Sequence, residues 1–343
     1  MKKYFSNYSK LISFDFKLLS KYRTELMGIG ALGVILGHNL RWNEWPFFAA
    51  LLGRIISSLV FTEGFLFLSG FGLFFSFVKN SNLKDFYLKR FERLVIPFWL
   101  TILPFAILNL IFGFKDISSV LNEFSIVAWF WGDGSWWYIA VSLLLYSLFP
   151  FIYKLVIGKM GEGNICSSVV KTFLLVVLVW LVNLFVLYLF PAYYKEVEIG
   201  LPQIPAFFFG VLAGLFAYKN YQSTFWMPVT ALCLVIFYGF SVFYEPLYSS
   251  YLIALRLFCM TVICKMFVSN LFVFFNPFLR WCGKYSLELY LIHLAAYILI
   301  SKFQVNSVWL NHLNILLAFA LCKPFNLLSS QLVRTLKLSR YIS

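Results

Sequence analysis

The chain is dominated by apolar runs, each long enough to cross a bilayer, that follow one another from residue 26 to residue 333. Of its 343 residues, 62% are hydrophobic and only 12% are charged, which is not the composition of a water-soluble domain of this length. The sequence therefore predicts an all-α, polytopic transmembrane bundle that forms a single domain over residues 1–343.

Ten spans are predicted within this bundle. Their ranges are 26–41, 55–78, 94–114, 136–157, 169–190, 203–219, 225–243, 247–268, 285–301 and 311–333. Residues 1–25 are polar and basic and lack the apolar core of a cleavable signal peptide, so we expect them to be a cytoplasmic segment. Residues 334–343 are the predicted cytoplasmic tail.

The net charge of +14 invites a nucleic-acid partner, but its distribution argues against one. The gaps 115–135, 191–202 and 244–246 are poor in Lys and Arg, whereas basic residues crowd the alternate gaps, such as 79–93. Ten spans with both termini in the cytoplasm place those basic gaps on the cytoplasmic side. The orientation of the spans therefore accounts for most of the positive charge, and no nucleic-acid partner is expected.

A glycine motif opens the first span. Gly28, Gly30 and Gly33 spell the G-x-G-x-x-G pattern of dinucleotide-binding loops. That loop needs a preceding strand, but the preceding residues SKYRTEL are polar and basic, which makes the match a chance one. We instead expect Gly30, Gly33 and Gly37 to form a smooth helix stripe for close packing, which would hold the neighbouring His38 inside the bundle.

Polar residues inside spans are costly to insert and are the main candidates for function. They are His38, Glu63, Arg256, Glu288, His293 and Lys323. Each has a structural alternative, because Glu63 and Arg256 can form a buried ion pair and Glu288 can be solvated near a helix end. Six cysteines without a C-x-x-C pair and three scattered histidines predict neither a disulfide framework nor a metal site.

Five stretches, in order along the chain, resemble the membrane proteins of acyltransferase family 3. They are RTELMGIGALGVILGHN, GFLFLSGFGLFFSF, DFYLKRFERLVIPFW, GSWWYIAVSLLLYSLFP and CGKYSLELYLIH. Each is weak alone, but five in family order over nearly the whole chain make a specific signal.

The resemblance implies an O-acetyltransferase of the bacterial inner membrane with no permanently bound cofactor. Acetyl-coenzyme A from the cytoplasm would be the donor, and the acceptor would be a sugar hydroxyl of an O-antigen, a capsule or another surface glycan. His38 is the expected catalytic residue, either as a base or as a nucleophile that carries the acetyl group. It lies about 18 Å beyond Leu26 at helical rise, in the outer half of its span. Glu25 is expected to pair with a basic neighbour and to fix the start of that helix.

The chain departs from the family pattern at one position. A basic residue usually stands where this chain has Met27, and the nearest one is Arg23, a helical turn earlier. Because the two positions share a helix face, we expect Arg23 to supply the missing charge.

The remaining candidate site residues are binding residues. Lys89, Arg90 and Arg93 are expected to bind the donor's phosphates, with plain topology as the alternative. The expected substrate contacts are Glu63, Trp136, Trp137, Tyr138, Arg256, Glu288, Tyr290 and His293. For Trp136, Trp137 and Tyr138 an aromatic belt at the membrane surface is the favoured alternative.

Two other functions stay open from the residues alone. A lipid-linked sugar flippase or transporter would use a charged cavity, typically with inverted repeats, and the sequence contains no such repeat. A polysaccharide polymerase would be expected to have a large outer loop, and the longest outer gap here is 115–135. Neither function accounts for the five ordered stretches.

Overall fold

The computed structural model of the chain describes residues 13–39, 51, 55–56, 58–132, 136–158, 164–271, 273–302 and 308–336. Within them the fold is all-α apart from two short strands, β1 (Phe14–Asp15) and β2 (Gln222–Ser223), which pair antiparallel. The helices are α1 (Lys17–Lys21), α2 (Arg23–Asn39), α3 (Thr62–Lys79), α4 (Leu83–Ile111), α5 (Ile117–Phe124), α6 (Trp137–Ile157), α7 (Ile165–Leu189), α8 (Pro191–Val197), α9 (Ile204–Tyr218), α10 (Trp226–Ser241), α11 (Tyr248–Val268), α12 (Asn276–Lys284), α13 (Ser286–Lys302) and α14 (Val308–Thr335).

Each of the ten predicted segments overlaps one long helix, and the all-α prediction is confirmed. Among the described residues, six helices are long and apolar enough to cross a membrane, and α10 is a shorter apolar helix. The protein is therefore a membrane protein. The count of ten spans and the cytoplasmic termini stay predictions. The short helices α1, α5, α8 and α12 were not predicted.

Two long helices begin elsewhere than predicted. α4 begins at Leu83 and not near residue 94, because the side chain of Asn82 accepts a hydrogen bond from the backbone N–H of Asp85 at 3.1 Å and caps the helix. The basic stretch before the third span is thus helical. α3 begins at Thr62 because Phe61 has non-helical backbone angles, φ −106° and ψ −147°.

Glycines allow two close helix crossings that hold α2 and α3 in place. A Cβ on Gly28 of α2 would collide with the carbonyl of Leu279 on α12, and one on Gly283 of α12 would collide with the carbonyl of Thr24. Within the predicted stripe, Gly30 packs closely against the side chains of Val60 and Phe65, and the closest backbone contact is made by Gly28, two residues nearer the start of α2. The full stripe of Gly30, Gly33 and Gly37 stays a prediction.

The second crossing joins α3 to α9. A Cβ on Gly70 would collide with the carbonyl of Phe207, and a Cβ on Gly210 would collide with the carbonyl of Phe67. Reciprocal contacts of this kind bring two backbones closer than any other residue allows, and dispersion across them stabilises helix pairs in lipid.

An ion pair also fixes the start of α2. Arg280 Nε on α12 donates to Glu25 Oε1 at 2.7 Å; Glu25 is buried, whereas the Arg280 side chain is 63% exposed. Arg280 is therefore the basic partner that was expected for Glu25 at the start of this helix. Its carboxylate also lies near the positive end of the α2 dipole, which favours it further.

We predict that Gly70→Ala destabilises the protein by about 1–3 kcal/mol, because the added methyl group overpacks the crossing with α9. Gly239→Ala on α10 is the matched control, since a Cβ there has no neighbour within 4 Å. Thermal unfolding of the two variants in the same detergent measures the difference. Equal unfolding temperatures would contradict the close crossing.

Candidate active site

A cavity of about 390 Å³ opens between α2, α3, α4, α6 and α13. Four cations line it, namely Arg23, Lys79, Arg90 and Arg93. No acidic side chain is among the described residues that line it. Its volume falls in the usual range of ligand pockets, and its charge selects an anion.

Arg23 and Arg90 are held in the wall of this cavity by contacts with α3. Arg23 Nε donates to the carbonyl of Leu68 at 3.2 Å, and its guanidinium lies where a side chain on Gly72 would otherwise be. Arg90 Nη2 donates to Ser76 Oγ at 2.7 Å, while its Nε is buried without a hydrogen-bond partner. Both guanidiniums therefore keep donors available for a ligand.

The cationic side chains of the cavity repel one another. Arg90 and Arg93 lie close enough to Arg23 for their positive charges to repel its guanidinium. Among the described residues, none of the three forms an ion pair with a carboxylate. Gathering like charges in a partly dry cavity is unfavourable unless an anion joins them. Bidentate guanidiniums match phosphate oxygens in geometry and charge.

Met27 lines the same cavity, one turn beyond Arg23. The fold thus places both positions where a cation can reach the same space. That Arg23 supplies the charge absent at Met27 stays a prediction.

A pair of histidines lies at the other end of α2. His38 Nδ1 and His293 Nε2 of α13 are 3.0 Å apart, and the two rings meet edge to edge, with nearly parallel planes and centroids 5.3 Å apart. His293 is completely buried, and its Nδ1 lies 2.9 Å from the carbonyl oxygen of Leu289. His38 is half-buried and also stacks on Tyr297, which is 36% exposed. The predicted placement of His38 inside the bundle agrees with this geometry.

One side chain links the cavity to the histidines. Tyr290 lines the cavity and packs edge-on against His293, with ring centroids 5.8 Å apart. Tyr138 of α6 also lines the cavity and packs against Tyr290 at 5.3 Å. Neither His38 nor His293 lines the cavity itself, so Tyr290 lies between the cavity and the histidine pair.

Three of the predicted charged residues form buried contacts outside the cavity. Glu63 and Arg256 form an ion pair at 3.4 Å, and Arg256 also donates to the carbonyl of Ser58, so the structural alternative fits them. Glu288 is buried and accepts a hydrogen bond from Asn326 Nδ2 of α14 at 2.6 Å, which rules out the alternative that it is solvated; its predicted substrate contact stays a prediction.

The predicted cation cluster and aromatic cluster are each only partly in the cavity. Lys89 is exposed and does not line it, although it lies only one turn before Arg93 on α4. Trp136 and Trp137 are buried outside it, Trp136 against Phe98 and Trp137 against Gly200. Such burial does not fit an aromatic belt at the membrane surface, and only Tyr138 of this cluster faces the cavity.

Sequence reasoning missed several residues of the cavity wall. They are Thr62, Ser69, Gly72, Ser76, Lys79 and Tyr146. Ser69, Gly72 and Ser76 fall within the stretch GFLFLSGFGLFFSF, spaced at helical intervals, and this spacing was the available signal. Lys79 follows this stretch, and the sequence assigns it only to the basic gap 79–93 on the cytoplasmic side.

A second cavity, of about 470 Å³, lies between α7, α9, α10 and α11. Its lining is almost wholly apolar and holds no charged residue among those described. It therefore offers neither a cation nor a base for chemistry.

These features together define a membrane protein with a cation-lined cavity next to a histidine pair. The sequence profile of acyltransferase family 3, described as an acyltransferase domain, matches residues 26–328. The chain belongs to this family and is a membrane acyltransferase. No curated protein and no solved structure matches the chain at a significant level.

We predict that Arg23→Ala loses most acyl-transfer activity and that adding Met27→Arg to it restores part of that activity. The reason is reach, since both positions line one cavity and lie a turn, about 5.4 Å, apart. The rate of acyl transfer per amount of membrane-inserted protein is the measurement.

Lys21→Ala is the control for this prediction, because Lys21 is an exposed basic residue that does not line the cavity. If Arg23→Ala and Lys21→Ala behave alike, Arg23 is only a topology charge.

Proposed function

We propose that this protein transfers an acetyl group from acetyl-coenzyme A to a hydroxyl of a saccharide at the cell surface. The observation that carries the proposal is the cavity lined by four cations, which shares Tyr290 with the histidine pair. The cavity provides the charge that a phosphate-rich donor needs. The histidines provide a base or nucleophile next to it.

Arg23, Arg90 and Arg93 bind the donor's phosphates in this proposal. Each guanidinium can donate two hydrogen bonds to phosphate oxygens, and the negative ligand relieves the repulsion between them. The predicted topology puts the cavity mouth, where α3 ends and α4 begins, on the cytoplasmic side, where acetyl-coenzyme A is made available. Glu25 does not contact the donor; it holds the start of α2, which carries Arg23.

The donor's long pantetheine arm then runs along α2 towards His38. Arg23 and His38 are fifteen residues apart on one helix, a separation of about 22 Å at helical rise. Because Tyr290 lies between the cavity and His293, its ring rotates to admit the thioester. The phosphates and the reacting carbonyl thus occupy opposite ends of the same helix.

At the histidine end the acceptor hydroxyl approaches His38 beside Tyr297. The partly exposed ring of Tyr297 offers an apolar face on which a sugar can stack. The acceptor class is an O-antigen, a capsule or another surface glycan, and the protein is a multi-pass protein of the bacterial inner membrane. In this role the connected side chains Tyr138, Tyr290 and His293 contact the substrates, whereas Glu63 and Arg256 form a buried structural pair.

The alternative functions explain less of the fold. A flippase or transporter of lipid-linked sugars would use the charged cavity but gives no role to a histidine pair at its end. A polysaccharide polymerase gives no role to a cavity that selects a polyanion from the cytoplasmic side. Membership of an acyltransferase family favours acyl transfer over both.

We predict that Arg90→Ala and Arg93→Ala each weaken the binding of acetyl-coenzyme A by about 1–3 kcal/mol, because a charged hydrogen bond to phosphate is lost. Lys89→Ala is a matched control, since it removes the same charge from the same helix but from an exposed position outside the cavity. Calorimetric titration of the purified protein with acetyl-coenzyme A measures all three variants.

A wild-type protein without affinity for acetyl-coenzyme A would contradict the proposed donor and favour the transporter alternative. Equal losses of affinity for acetyl-coenzyme A in Lys89→Ala and Arg90→Ala would show that the positive charges attract the donor only at long range and that Arg90 makes no specific hydrogen bond to it.

A further inference from the structure

We propose that His293 is a positioning residue that keeps the proton of His38 on Nδ1 and leaves Nε2 as the reactive atom. This proposal rests on the proposed acyl transfer, and it adds an atom-level role for a buried residue that does not line the donor cavity. The geometry of two consecutive hydrogen bonds carries it.

The first hydrogen bond fixes the tautomer of His293. Its Nδ1 lies 2.9 Å from the carbonyl oxygen of Leu289, one helical turn earlier. A carbonyl oxygen can only accept, so Nδ1 must carry the proton and donate it. In a neutral imidazole the other nitrogen is then an acceptor, and His293 Nε2 therefore presents a lone pair.

The second hydrogen bond transmits this choice to His38. His38 Nδ1 lies 3.0 Å from the lone pair of His293 Nε2, so His38 Nδ1 must be the donor. The lone pair of a neutral His38 is consequently on Nε2. The ring planes support this bond, because they lie within 20° of each other and the nitrogen lone pair lies in the ring plane. The Tyr297 ring lies beside His38, with centroids 5.6 Å apart.

Nε2 is the required atom whichever way His38 acts. As a base, Nε2 takes the hydroxyl proton while the hydroxyl oxygen bonds to the acetyl carbon and the carbon–sulfur bond breaks. As a nucleophile, Nε2 bonds to the acetyl carbon, the thiolate leaves, and the hydroxyl then displaces the imidazole and gives up its proton. In both routes the proton finally passes to the thiolate, so the products are the acetyl ester and coenzyme A.

A histidine without this partner would lose orientation and tautomer together. In other enzymes, a histidine held in the wrong tautomer loses up to about 10⁴-fold in rate. The partner here is a neutral imidazole and not a carboxylate, so it fixes the tautomer but adds less electrostatic stabilisation of the charged ring. We therefore expect a smaller effect, a loss of about 10- to 100-fold in kcat.

The test compares His293→Gln, His293→Leu and His293→Ala in membrane vesicles that contain the host's surface glycan. Acetyl incorporation into that glycan from ¹⁴C-labelled acetyl-coenzyme A gives kcat and KM. A glutamine places an amide oxygen about where His293 Nε2 lies and can accept from His38 Nδ1, whereas leucine and alanine cannot. His312→Gln, on the third histidine of the chain, is the control.

The expected result is a 10- to 100-fold lower kcat for the leucine and alanine variants, with KM for acetyl-coenzyme A within about twofold of wild type. Most of the rate should return in His293→Gln, and His312→Gln should match wild type. A purely structural role for His293 would not be rescued by the amide oxygen.

The proposal is overturned if His293→Leu and His293→Ala keep the wild-type kcat. It is also overturned if His293→Gln is as slow as they are while all three bind acetyl-coenzyme A normally. Failure of the proposed function looks different, because then the wild-type protein itself incorporates no acetyl group.

Discussion

Close backbone contact at two glycine crossings is the constraint on which the site depends. Gly28 and Gly283 bring α12 onto the start of α2, and Gly70 and Gly210 bring α9 onto the middle of α3. In lipid the hydrophobic effect does not drive helices together, so such tight contacts have to do so. Each crossing holds one of the two helices that flank the site, and between these helices the Arg23 guanidinium of α2 lies directly against Gly72 of α3.

With α2 held in this way, its two ends serve two different purposes. The end that carries Arg23 faces a cavity lined by positively charged side chains, whose potential attracts anions. The other end carries His38, which pairs with a completely buried His293. A single helix thus carries a cation of the cavity at one end and a histidine of the pair at the other, and Tyr290 lies between the cavity and the histidine pair.

Much of this architecture could be predicted from local pattern. Apolar run length located the long helices, and the place of Glu25 at the start of a helix predicted a basic partner for it. What could not be predicted was contact between distant segments: His293 lies 255 residues from His38, and Asn326 satisfies Glu288 from another helix. Lys89 was predicted to bind the donor with Arg90 and Arg93, but it does not line the cavity. A run of basic residues does not by itself show which side chains reach a cavity.

The central claim is that acyl transfer at His38 is separable from donor binding in the arginine cavity. Its most direct test measures His38→Ala twice, for binding of acetyl-coenzyme A and for transfer of a ¹⁴C-labelled acetyl group to surface glycan. The account predicts binding within about twofold of wild type, because His38 does not line the cavity, and transfer reduced to background. Transfer by His38→Ala at the wild-type rate would contradict it.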